Sequence, residues 1–94
     1  MKNFIALMYH SIGDYPGNAY DIDINNFKDQ IFWLKSKGYI VEGFHEFFKR
    51  RTTNNWPNRY AILSFDDGYK SFLKAAEILN GTGFTATFFI TKDW

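Results

Sequence analysis

The stretch LSFDDGYKS, residues 63–71, ends an apolar run with two adjacent aspartates and a glycine. Ala61-Ile62-Leu63-Ser64-Phe65 reads as a strand buried on both faces, and Asp66-Asp67-Gly68 is its exit. Lys70–Leu79 then has helical periodicity through Phe72, Leu73, Ala76 and Leu79, and Asn80-Gly81 stops it. Outward from this strand–turn–helix the pattern repeats. Phe4–Tyr9 is a continuous apolar strand that also reads as buried on both faces, and His10–Asn18 is a loop punctuated by Gly and Pro. Asp23 fits an N-cap, Phe27, Ile31 and Leu34 follow at helical spacing, and Gly38 closes that helix. Tyr39–Val41 is a short strand, Phe44–Arg50 a short helix, Thr52–Asn58 a polar loop and Phe84–Ile90 a fourth strand.

Strands alternating with helices imply a parallel sheet with right-handed helical crossovers. The fold class is α/β, with about four parallel strands. Parallel strands share one C-terminal end, and in α/β folds that end carries the chemistry. His10 leaves the first strand there, and Asp66 and Asp67 leave the third.

Composition narrows the function. The chain has 94 residues, room for one small domain, yet 46% are hydrophobic and 21% aromatic, more than so short a chain needs for its own core. Those residues therefore read as part of a larger body. A net charge of +1 gives no field for nucleic acid or an anionic membrane. With no cysteine there is neither a disulfide nor a thiolate metal site. No apolar segment is long enough for a membrane span or the core of a signal peptide, so the expected location is cytoplasmic by default.

The plainer account of Asp66-Asp67-Gly68 is a turn in which one carboxylate caps the next helix. Adjacent carboxylates repel near a buried strand end, however, and a divalent cation offsets that repulsion. One aspartate then ligates the metal while the other takes a proton from water held there. His10 is either a hydrogen-bonded structural residue or a member of that face. Tyr9 and Tyr69, at the strand exits, could line a sugar-binding groove. His45 reads as surface or packing, and Lys49-Arg50-Arg51 as a solvated helix end. Asp21–Asn25 begins like a calcium loop, but Asn26 stands where glycine is needed and Phe32 where the bidentate glutamate belongs. A magnesium phosphohydrolase with paired aspartates would need a Gly-rich phosphate loop or a lysine near the strand exits, and neither is evident. A non-catalytic module is the other alternative.

LSFDDGYKS resembles the first motif of the polysaccharide deacetylases, carbohydrate esterase family four. LMYHSIGD (7–14), FKDQIFWLKSKGYIV (27–41) and FTATFFIT (84–91) resemble that family's opening strand, first helix with second strand, and the strand after the motif, so the likeness covers nearly the whole chain. It implies a distorted (β/α) barrel that removes N-acetyl groups from an amino-sugar polymer, so the expected partner is an N-acetylated polysaccharide or oligosaccharide. It also implies Asp66 as general base and Asp67 as ligand of a divalent metal, usually zinc, with Gly68 and Tyr69 completing the motif. The family's two further ligands, in a His-x-x-x-His motif, have no counterpart here, since the chain holds only His10 and His45. The family's arginine motif and histidine general acid, which follow later, have no counterpart either. Residues 1–94 are therefore expected to be the N-terminal half of the barrel, a partial deacetylase domain that ends after the fourth strand and is inactive alone. Its open last edge, rich in Phe88, Phe89 and Ile90, is expected to self-associate.

Overall fold

A computed structural model describes residues 3–13, 17, 19–66 and 69–89, with side chains from 72 onward in the last of these segments. Its central strand is β5 (Arg59–Phe65), paired in parallel along its whole length with β1 (Asn3–Tyr9). On the other side β5 pairs first with β4 (Ile40–Glu42) and then, at its C-terminal end, with β6 (Thr87–Phe88). All these pairings are parallel, as the alternating pattern requires, but the strands do not lie in chain order.

Three helices make the crossovers. In α1 (Ile24–Ser36), Asp23 caps the start: its carboxylate accepts from the N–H of Asn25 at 3.0 Å and of Asn26 at 3.3 Å. Gly38, at φ 76°, takes the left-handed position that ends the helix. Phe27, Ile31 and Leu34 of α1 are buried against the sheet, together with Ala75 and Leu79 of α3 (Tyr69–Leu79). The sheet face they cover carries Tyr9, Val41, Ala61, Leu63 and Phe65.

The helix α2 (Phe44–Thr53) starts differently. Gly43 has no side chain to cap it, and Thr87 supplies the missing acceptor: its Oγ1 lies 2.7 Å from the N–H of Phe44. The approach is so close that a Cβ on Gly43 would come within 2.7 Å of the Ala86 carbonyl carbon, so only glycine fits. Thr85 Oγ1 accepts from the Gly43 N–H at 3.2 Å.

Several expectations need correction. The fourth strand is only Thr87–Phe88 rather than 84–90 within the described residues, and just before it the Thr85 N–H donates to the Val41 carbonyl at 3.1 Å; Ile90 lies outside the described residues. The second helix runs on to Thr53 and closes on Asn54 at φ 51°. The first strand is buried on one face only: Phe4, Ala6 and Met8 are exposed, since among the described residues nothing covers that face of β1 beyond its stacking on Tyr60. Arg50 is no solvated helix end. It forks onto Glu42, Nε to Oε1 at 2.6 Å and Nη2 to Oε2 at 3.1 Å, and lies over the Tyr60 ring. Two unexpected elements appear, β2 (Ser11–Ile12) inside the expected loop and β3 (Asp21–Ile22) between that loop and the first helix, paired in parallel as a separate ribbon. No described helix is long and apolar enough to cross a membrane.

Candidate active site

The register of β1 and β5 builds the site. Tyr9 is opposite Phe65, and the Asp66 N–H donates to the Tyr9 carbonyl at 3.1 Å, one step past the strands. Side chains alternate along a strand, so with Tyr9 and Phe65 turned into the core, His10 and Asp66 turn the other way. They meet there: His10 Nδ1 lies 2.9 Å from Asp66 Oδ1. Both belong to the C-terminal end of the sheet, as strand direction predicts. Asp67 and Gly68 lie outside the described residues, and Tyr69 is the first residue of α3.

An aromatic cluster fixes the floor. Phe65 stacks on Phe88 at 4.8 Å between centroids and on Tyr9 at 5.3 Å, and meets Phe27 edge-on at 5.7 Å. Tyr9 is thus packed in the core, and it also lines the cleft beside His10. Its hydroxyl is hydrogen-bonded to Gln30 Oε1, and burial pushes its phenol up to about 12.

That cleft, about 490 Å³, opens beside His10 and is lined further by Tyr20, Asp21, Asp23 and Asn26. The β2–β3 ribbon forms its wall. Ser11 Oγ donates to Asp21, the Gly13 N–H to the Ile22 carbonyl at 2.9 Å, and Lys74 Nζ of α3 to the Ile12 carbonyl at 2.7 Å. Tyr20, just before β3, stands against the His10 ring at 5.2 Å with 64° between planes. Sequence reasoning missed Tyr20, whose signal was an aromatic placed just after a Gly/Asn-rich loop. His45, on α2, is exposed as expected.

Among the described residues, no group of three or more His, Asp or Glu lies close enough to hold a metal. His10 and Asp66 by themselves are a close imidazole–carboxylate pair, short of the three protein ligands a catalytic zinc takes. The arrangement can do acid–base chemistry: a carboxylate and an imidazole lie 2.9 Å apart at the C-terminal end of a parallel sheet.

The comparisons relate the chain as a whole to deacetylases. The chain is similar in sequence and in structure to proteins that remove acetyl groups from sugar polymers, and its structural neighbours are (β/α)-barrel deacetylases of which it covers a part. In sequence, the poly-beta-1,6-N-acetyl-D-glucosamine N-deacetylase of Escherichia coli (strain K12) is 26% identical over 74 residues, 76% of this chain and 11% of that protein. In structure, a de-N-acetylase from Aggregatibacter actinomycetemcomitans gives a TM-score of 0.76 at 26% identity over 90% of this chain and 36% of that one. The Streptococcus pyogenes deacetylase PplD, solved in complex with acetate, gives 0.77 at 26% identity over 93% of this chain and 42% of that one. The chain therefore spans about a tenth of its curated relative and well under half of the solved structures. No protein-family profile matches it.

Proposed function

We propose that this chain is the N-terminal, base-bearing part of a metal-dependent deacetylase domain that hydrolyses N-acetyl groups of an amino-sugar polymer. The observation that supports it most is the His10–Asp66 pair, 2.9 Å apart at the C-terminal end of two registered parallel strands. In this reading Asp66 is the general base and Asp67 a ligand of a divalent metal, zinc by the family resemblance, whose other ligands come from outside these residues. When bound, the metal polarises the acetamide carbonyl.

The chain's own residues do the rest. Asp66 takes a proton from the attacking water as its oxygen bonds to the carbonyl carbon. The C–N bond then breaks, releasing acetate, and the departing amine needs a proton. His10, in contact with Asp66, is placed to give it. The sequence reading left this acid outside the chain; the geometry supplies a candidate within it. An imidazole and a carboxylate this close can divide the two proton transfers between them.

The test is acetate release from a β-1,6-linked N-acetylglucosamine oligomer with added zinc or cobalt. In a domain that joins this segment to the further strands, Asp66→Asn should keep the metal and lose turnover, because the amide accepts no proton. Asp67→Ala should weaken metal binding, with partial rescue by excess metal. The 94-residue chain alone should be inactive for want of ligands. Chelator-sensitive turnover by that chain alone would overturn the ligand assignment.

A further inference from the structure

We infer that Tyr20 is the stacking platform of a second sugar subsite, so that the site takes a chain of at least two amino-sugar residues rather than a monosaccharide. The identity of the sugar rests on the deacetylase reading; the platform rests on the geometry below.

Tyr20 is 71% exposed. A lone exposed aromatic is ordinary on a protein surface, and exposure alone decides nothing. Its position decides more. The ring sits 5.2 Å from the imidazole of His10, which in turn touches Asp66, so Tyr20 stands against one member of the acid–base pair and one side chain removed from the other. The 64° between the planes means that His10 does not stack face to face on the phenol. The element that follows the ring is tied to its neighbours. Tyr20 immediately precedes β3, whose backbone is registered against β2 at Ser11 and Ile12, and β2 is tied to α3 through Lys74. A platform held by two elements loses little conformational freedom when a ligand covers it.

The cleft beside the ring has matching chemistry. A pyranose presents axial C–H groups on its faces and hydroxyl or acetamido groups around its rim. An aromatic ring suits the face, and short polar side chains suit the rim. Here the rim is met by Asp21, Asp23 and Asn26. Asp23 already accepts from two α1 N–H groups, but a carboxylate has about four lone-pair positions and can accept more. At about 490 Å³ the cleft lies within the ordinary size of a small-ligand site and admits a sugar residue.

The experiment compares binding of N-acetylglucosamine with that of its β-1,6-linked trimer to the purified protein, by calorimetry and by proton NMR of the sugar. Wild type and Tyr20→Phe should prefer the trimer. Tyr20→Ala should weaken trimer binding by roughly tenfold, the scale of one aromatic contact, and leave the monomer within about twofold. With wild type the trimer's axial protons should move upfield under the ring current, a readout that needs no variant to fold. An unchanged trimer preference in Tyr20→Ala, no measurable trimer binding by wild type, or no upfield shift would each overturn the inference. Failure of the deacetylase reading looks different: Tyr20-dependent trimer binding would persist while no acetate is released in any context.

Discussion

The His10–Asp66 pair can be separated experimentally into what it does for stability and what it does for chemistry. The two side chains are 43% and 38% exposed. At 2.9 Å the Coulomb energy of two full charges in a water-like dielectric is about 1.4 kcal/mol, before salt screening and before the entropy of fixing both side chains. Exposed pairs of this kind measure roughly 0.2–1 kcal/mol. Loss of a positioned acid or base, by contrast, costs about 10²–10⁴ in rate. A double-mutant cycle of His10→Gln, Asp66→Asn and the double variant should therefore give a stability coupling of at most about 1 kcal/mol in urea unfolding. In a domain that turns over, each single variant should lose activity steeply, and the double should lose far less than the product of the two. A stability coupling above about 2 kcal/mol, with acetate release unchanged in either single variant, would make the pair a structural clamp and refute the catalytic reasoning.

The aromatic floor should be costly to disturb: Phe65→Ala, at a position 1% exposed with three ring partners, should destabilise by about 3–5 kcal/mol in denaturant unfolding, and Phe65→Leu by less than half of that. For the Arg50 fork, the guanidinium's hydrogen bond holds the Glu42 carboxyl below its ordinary value of 4.5. A depressed folded-state pKa contributes stability that is present above 4.5 and lost as pH falls through the folded value, so Arg50→Met should flatten the fall in melting temperature below pH 4.5.

Much of this arrangement is legible in the sequence because it is set locally. The cap at Asp23, the glycine stops at Gly38 and Gly81 and the alternation of apolar runs with helical spacing each depend on a few neighbours, and each is where the pattern places it. From alternation follows strand direction, and from direction the shared end of His10 and Asp66. The failures are of another kind. The β2–β3 ribbon consists of two-residue strands separated in the chain and held to α3 by a lysine, and no window of sequence carries that information. Arg50 sits in a basic run and looks solvated until β4 brings Glu42 beside it. An apolar run such as 4–8 says that a strand is apolar on both faces, not what covers them.

The shortened β6 shows how such a tertiary demand reaches the site. FTATFFI has the composition of a full strand, yet two of its threonines turn to the start of α2, where a glycine leaves N–H groups without a cap. The backbone of the same segment meanwhile pairs with the last ladder positions of β5, Ser64 with Thr87 and Phe65 with Phe88. That brings the Phe88 ring flat against Phe65, at 9° between planes, directly beneath Asp66. The backbone N–H of Phe89 donates to the Phe65 carbonyl at 2.7 Å and closes the ladder at the same point. Phe65 is thereby gripped on both edges, by Tyr9 of β1 and by Phe88 of β6, and the next residue in the chain inherits that fixed direction. A carboxylate that is more than a third exposed is oriented by the buried residue before it, which is what a base aimed at an external substrate requires.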